Sequence, residues 1–161
     1  MTDDQPIRPL QSGDLPDVKG VIDACGLFPP DLLDGMTAKY FAGEAQTEVW
    51  LTYVDGKPVA VAYCAPEPMT HGTWNLLLIA VHPDSQGRGC GAAILRHVEQ
   101  ILTENGQRLL LVETSGLAGF ENTRGFYRKL GFDQEARIRD FYQAGEDKIV
   151  FRKALKSPAA D

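Results

Sequence analysis

The sequence predicts an α/β fold: a mixed, mostly antiparallel sheet of about seven strands joined by about four helices. Three observations predict it. Leu76 to Val81 is a continuous apolar run, Arg108 to Thr114 begins another strand, and between them Ile94, Leu95, Val98, Ile101 and Leu102 recur at helical spacing. Two buried strands separated by a helix of this length make a βαβ unit, hence a parallel pair. On either side the chain folds back on itself instead. Glu48 to Val54 and Val59 to Cys64 flank Asp55-Gly56, and Ala136 to Tyr142 and Lys148 to Leu155 flank Ala144-Gly145, so both read as hairpins.

In chain order, Ile7 to Leu10 is a short first strand, and Ser12 or Asp14 can cap a helix from about Leu15 to Cys25. Gly26 and Pro29-Pro30 stop that helix. A second helix, about Leu32 to Ala42, contains Gly35. The loop Ala65 to Gly72 leads into the central strand Trp74 to Val81, which Pro83 ends because it cannot donate to a ladder. Asn105-Gly106 closes the long helix. After Thr114, a loop from Ser115 to Phe120 precedes a short helix, about Asn122 to Leu130, with Gly131 in a C-cap role. No repeat or linker interrupts the chain, so one domain is expected over residues 1–156, with 157–161 a frayed tail.

At 161 residues the chain is long enough for one well-formed core. Its net charge of −6 argues against nucleic acid as the main partner, because neutralising phosphates needs clustered Lys and Arg. It suits an amine or other cationic small molecule. Cys25, Cys64 and Cys90 form no C-x-x-C pair, and His71, His82 and His97 lack metal-ligand spacing, so neither a disulfide framework nor a metal is expected. The acidic start is unlike a signal peptide, and no apolar run approaches a membrane span of about 18 residues, so a cytoplasmic location is expected. A homodimer is compatible with the sequence.

The candidate site begins at the glycines. Gly87, Gly89 and Gly91 alternate at the start of the long helix, whose first turn is therefore expected to be mostly glycine, with bare backbone amides and a helix dipole that favour a phosphate. Gly87-x-Gly89-x-x-Ala92 fits the dinucleotide fingerprint, with Glu113 near its acidic position. In that fold, however, the glycines follow their strand directly, and here His82 to Gln86 intervene. The absence of Gly-Lys-Ser/Thr excludes a Walker A loop.

Val81-x-Pro83-x-x-Gln86-Gly87-x-Gly89-x-Gly91 resembles the acetyl-CoA loop of the GNAT superfamily of N-acetyltransferases. The family pattern Gln/Arg-x-x-Gly-x-Gly/Ala is met by Gln86, Gly89 and Gly91. A second signature, aromatic-Tyr-x-x-x-Gly-Phe, stands as Phe126-Tyr127-Arg-Lys-Leu-Gly131-Phe132. The resemblance covers nearly the whole chain. It implies the GNAT fold, with a central parallel pair that splays apart to admit acetyl-CoA. It also implies backbone contacts to the cofactor from Ile79, Ala80, Val81, Gln86, Gly87, Arg88, Gly89, Cys90, Gly91 and Ala92. One position departs from the pattern. Phe120 stands where many members carry a CoA-contacting Asn, and Asn122 is out of register with it.

The reaction implied is transfer of acetyl from acetyl-CoA to a primary amine of a small-molecule or peptide acceptor, by direct attack. Tyr127 matches the family's general acid; a Tyr on an amphipathic helix can equally pack in the core. Glu113 is the candidate base, its pKa raised by apolar neighbours, or else a structural carboxylate capping Ser115 and Gly116. Asn75 is the sole polar interior candidate on the central strand, and Glu67 and His71 precede it. Arg88 is favoured among the cations for a CoA phosphate. Two alternatives remain: a non-catalytic acyl-CoA-binding sensor, and an NAD-dependent oxidoreductase using the same glycines.

Overall fold

The computed structural model describes residues 5–44 and 47–156. The tail expected at 157–161 lies outside them. Seven strands form one sheet: β1 (Ile7–Pro9), β2 (Val49–Asp55), β3 (Lys57–Pro66), β4 (Thr73–Val81), β5 (Leu109–Ser115), β6 (Asp133–Gln143) and β7 (Glu146–Ala154). Their spatial order is β1-β2-β3-β4-β5-β7-β6. Among the described residues the α-helices are α1 (Leu15–Cys25), α2 (Leu32–Phe41), α3 (Cys90–Glu104) and α4 (Glu121–Lys129). None of them is long and apolar enough to cross a membrane.

The pairings follow the connections. Short turns after β2 and β6 give antiparallel neighbours, with Asp55 opposite Lys57 and Gln143 opposite Glu146. The α3 crossover gives the parallel pair, in which Thr73–Leu76 lie opposite Leu109–Val112. That register ends at Leu76 and Val112. β5 continues to Ser115 along β7, where Glu113 faces Val150 and Ser115 faces Lys148.

The described residues pack as two compact units, one of the chain up to Ala65 with Leu78–Gln100, the other of Pro66–Leu77 with the chain from Ile101 onward. The first is centred on Val18, Val21, Ile22 and Leu33 from the helices, packed with Trp50, Val61, Leu78 and Ala80 from the strands. Trp50 and Tyr63 are opposite one another in the ladder and stack with ring centroids 4.0 Å apart. Both also donate to the Glu48 carboxylate, Tyr63 at 2.9 Å and Trp50 at 3.3 Å. The second unit buries Leu110, Ile149 and Phe151 completely, and Tyr127 packs edge-on against Phe132 with centroids 5.9 Å apart.

Two local expectations are corrected. A short 3-10 turn, Ser12–Asp14, precedes α1, and Asp14 makes no side-chain cap. Its carboxylate turns back to Arg8 in a two-pronged pair at 2.7 and 2.8 Å and accepts the Gln11 amide at 2.8 Å. A planar guanidinium satisfies both oxygens at once, which a helix amide cannot. The second correction concerns the glycines: α3 begins at Cys90, so only Gly91 lies within it. Gly87 and Gly89 sit before the helix with φ of +80° and +82°, in the left-handed region.

The hydrogen-bonded Arg8 holds the Asp14 carboxyl below its ordinary 3.8. Because the folded value is depressed, this stabilisation is present above pH 3.8 and is lost as pH falls through the lower folded value. Asp14→Ala is expected to lower unfolding free energy by about 1.5–3 kcal/mol at pH 7, with a smaller loss at an acidic pH below the ordinary carboxylate value. Urea unfolding at the two pH values checks it.

Candidate active site

The first unit carries the glycine loop. After Val81, a 3-10 turn over Pro83–Ser85 is closed by Ser85 N–H donating to His82 O at 2.8 Å and by the Asp84 amide donating to His82 Nδ1 at 3.1 Å. Two side chains fasten the strand end behind it: Gln86 Nε2 and Cys25 Sγ donate to the Val81 carbonyl at 3.0 and 3.2 Å. The first helical bond past the glycines runs from Ala93 N–H to Gly89 O, at 3.0 Å. The amides of Cys90, Gly91 and Ala92 therefore precede the first intrahelical donor and point out of the helix start. A Cβ added at Gly87 or Gly89 would meet nothing within 4 Å, so the left-handed backbone rather than a close approach is what favours glycine at both. Together, open amides, the positive helix end and left-handed glycines fit a phosphate group. Ile79 and Val81 are half-buried; the Ala80 methyl faces the core, leaving only its backbone for a ligand. Arg88 is exposed, 4.0 Å from Asp55.

The second unit carries the ionisable groups. Residues opposite one another in a ladder share a face, and successive residues alternate. The registers Asn75–Leu111 and Ser115–Lys148 therefore place Asn75, Leu77, Glu113 and Lys148 on one face. Leu77 is 55% exposed although it lies in a central strand. Tyr127 packs on Phe151, with centroids 5.6 Å apart, and Phe151 lies opposite Val112, so its ring belongs to the other face. Glu113 and Tyr127 thus flank the sheet just where the parallel register stops.

Glu113 is partly enclosed and has a cationic partner that its neighbours in sequence do not show. Lys148 Nζ lies 2.9 Å from its Oε1, and the lysine is the more enclosed partner, 12% exposed against 32%. Tyr127 is 4% exposed, and burial pushes its phenol well above the usual value. Among the described residues nothing hydrogen-bonds its hydroxyl. Asn75 donates Nδ2 to Glu67 Oε1 at 2.8 Å. A carboxylate only accepts, so this bond fixes the amide orientation and leaves Asn75 Oδ1 buried without a donor. An orphaned acceptor costs about 1–3 kcal/mol, and a ligand N–H can satisfy it. His71 is exposed and contributes its carbonyl to Arg108.

A family model described as "Acetyltransferase (GNAT) domain" matches residues 45–134. A crystal structure from Desulfovibrio desulfuricans, assigned to the GNAT acetyltransferases, is 32% identical over 93% of this chain and 98% of its own, with a TM-score of 0.86. The chain belongs to the GNAT acetyltransferase family. The ribosomal-protein-S18-alanine N-acetyltransferase of Escherichia coli is 26% identical over 96% of both chains, with a TM-score of 0.74. An aminoglycoside 6′-N-acetyltransferase complexed with coenzyme A shares the fold at 16% identity, with 96% and 99% of the chains covered and a TM-score of 0.73. No curated protein sequence matches. Membership and the mostly antiparallel sheet leave the dinucleotide reading of the glycines without support, since that fold needs parallel βαβαβ halves.

In this GNAT chain, Phe120 and Asn122 do not fill the family's Asn position with an inward polar group. Phe120 is 41% exposed at the start of α4, and Asn122 is exposed on its first turn. Arg124, which sequence reading passed over, is buried nearby. Its Nη1 donates to Ser115 O at 2.7 Å and Leu117 O at 2.9 Å, and its Nη2 pairs with Glu121 at 2.7 Å. It therefore ties the β5–α4 loop to α4. Lys148 was also missed, because the pairing with Glu113 spans two strands distant in sequence.

Gly89→Ala is expected to lower the thermal midpoint and to weaken coenzyme A binding by about fivefold or more, since a left-handed alanine is strained by about 1 kcal/mol or more and relief of that strain moves the turn ahead of the helix-start amides. Calorimetric titration of the variant, beside its thermal midpoint, checks it.

Proposed function

We propose that the chain is an N-acetyltransferase carrying acetyl from acetyl-CoA to a primary amine by direct attack, with residues 1–156 serving as one catalytic domain. The observation that carries this reading is the placement of a carboxylate and a tyrosine hydroxyl on opposite faces of the sheet, at the end of the parallel register. An amine entering on the Glu113 face can lose its proton there, while a sulfur leaving toward Tyr127 can gain one.

The glycine-loop amides, with Ile79 and Val81 behind them, would hold acetyl-CoA, which supplies an acyl group already activated as a thioester. Glu113 takes a proton from the acceptor ammonium, because an amine of lysine-like pKa is protonated at pH 7 and cannot attack. Tyr127, kept protonated by burial, donates to the departing sulfur. A thiol pKa near ~8.5 makes that group a tolerable anion, so Tyr127 accelerates the step without being indispensable. The half-exposed Leu77 offers an apolar wall on the acceptor side. The acceptor named for the E. coli relative is a protein alanine, which favours trying peptide N-termini first. Three free cysteines support a reducing, cytoplasmic setting.

The first test is calorimetric titration with acetyl-CoA, with NAD as the control. Micromolar acetyl-CoA binding with no NAD signal is the expected result, followed by CoA release when alanine-terminated peptides and other primary amines are added. Binding without turnover on any amine would leave a sensor rather than an enzyme. Tyr127→Phe is expected to lower kcat by about 10–100-fold with acetyl-CoA affinity unchanged, and an unaltered rate would remove Tyr127 from the reaction. For Glu113→Gln, the acidic limb of the kcat/KM profile should disappear; a limb that persists assigns the proton to another group.

A further inference from the structure

We infer that the acceptor is a small primary amine carried on an apolar body, held against an exposed apolar surface that surrounds Glu113. The inference rests on the reading of Glu113 as the proton acceptor given above. Four large apolar side chains of the second unit stand about half exposed there: Leu77 at 55%, Phe141 at 50%, and Ile138 and Tyr142 at 45% each. Exposed apolar surface gathered in one place marks a contact site, whereas single exposed leucines need no explanation.

The backbone collects these side chains around one carboxylate. Leu77 shares the Glu113 face by alternation from Asn75, and Ile138 joins it because it lies opposite Lys148 in the ladder. Phe141 and Tyr142 are adjacent, and in a regular strand they would point to opposite faces. The β6–β7 register shifts between Ile138 and Gln143, so the chain leaves the ladder and the two rings stay together. The Phe141 ring centroid lies 3.9 Å from Lys148 Nζ, itself 2.9 Å from Glu113 Oε1, and Tyr142 meets Phe141 edge-on with centroids 5.0 Å apart. Burial, with the charges of Glu113 and Glu146, pushes the Tyr142 phenol up, so this ring too lies within the field of that carboxylate. Asp140 holds the excursion at φ of +54°, its amide donating to Asp147 Oδ1 at 2.9 Å and its Oδ1 accepting from Gly145 N–H at 2.8 Å. A non-glycine residue in that region is strained, and these two bonds keep it there.

The charges decide which kind of amine fits. The ion pair and the aromatic face hold Lys148 as an ammonium, so it is a fixture of the surface and no nucleophile. It takes Oε1 of Glu113 and leaves Oε2, on a side chain 32% exposed, for one incoming N–H. A carboxylate already paired attracts a further cation weakly, so extra positive charge on the acceptor gains little. Affinity must come from apolar area instead. Each methylene buried there is worth about threefold to fourfold. An alkyl or aryl amine gains this from Leu77, Ile138 and the two rings, while a diamine or an amino sugar sets polar groups against them.

The test measures kcat/KM with acetyl-CoA for the straight-chain amines from propylamine to hexylamine. The nucleophile is the same throughout, so only apolar contact changes along the series. Activity is expected to rise about threefold per methylene, or about 30-fold overall, mainly through KM. The diamine 1,5-diaminopentane should fall about tenfold or more below hexylamine. Leu77→Ser and Phe141→Ala replace half-exposed side chains, so each should fold, and each should flatten the rise to about twofold or less per methylene. A flat series, a diamine preferred to hexylamine, or a rise that both variants leave intact overturns the inference and leaves the proposed function standing. An alanine-led peptide used better than hexylamine gives the surface to a peptide, and a dimer in sedimentation that both variants disperse gives it to a second copy; either result overturns the inference too. Acetyl-CoA bound with no amine turned over, or no acetyl-CoA bound at all, overturns the proposed function and this inference with it.

Discussion

The structure depends on a short parallel pairing, Thr73–Leu76 against Leu109–Val112. Parallel neighbours cannot be joined by a hairpin, so this pairing requires a crossover, and the crossover is α3. A strand that must turn into a helix above the sheet needs a connection whose backbone can leave the extended region. Gly87 and Gly89 provide it with left-handed φ values. The same turn leaves the helix-start amides without intrahelical partners, so their exposure follows from the topology. Because the parallel register is so brief, β5 continues on β7 alone, and Glu113 comes to stand beside Lys148 instead of beside a β4 partner.

Ion pairs in the molecule differ in consequence according to depth. Lys19–Asp34 at 2.7 Å joins two helices, with the aspartate 57% exposed, and solvent screening leaves such a pair with little effect on stability. Arg8–Asp14 buries its carboxylate and satisfies both oxygens, so it fixes the path from β1 into α1. Lys148–Glu113 lies between these cases, enclosed on the lysine side and partly open on the glutamate side. That asymmetry leaves the carboxylate within reach of solvent and of other partners. A pair sealed on both sides would resist exchange, because separating it would strand a charge in an apolar interior.

What the sequence made legible was local. The two hairpins, the apolar central strand, the amphipathic α3 and the glycine loop each announce themselves within a window of a few residues, through turn chemistry and periodicity. The Phe126-Tyr127…Gly131-Phe132 signature likewise sits on one helix and its cap. Contacts between distant segments were not legible. Nothing near Glu113 in sequence is cationic, so apolar neighbours pointed to a desolvated carboxylate, whereas the ladder brings Lys148 to it from β7. Asp14 stands where a cap belongs, yet a guanidinium from the preceding strand competes for it successfully. Asn75 was visible as a polar residue on an apolar strand, but its unsatisfied oxygen depends on which way Glu67 turns the amide. Nothing in the sequence near Arg124 marks it out, because the loop carbonyls it binds are brought to it only by the fold.

The fastening of the Val81 carbonyl has a thermodynamic consequence. Two donors, from Cys25 on α1 and Gln86 beyond the turn, meet on that single oxygen. The strand end and the glycine turn are therefore ordered when the chain folds, and a ligand arriving at the helix start finds the amides already aligned. Immobilising a backbone residue takes roughly 1–2 kcal/mol, and a loop ordered in advance spares the complex that loss for each of its residues. Encounter then needs no loop rearrangement before capture, so association should be governed by diffusion and charge, and differences in affinity among ligands should appear mainly in how slowly they leave.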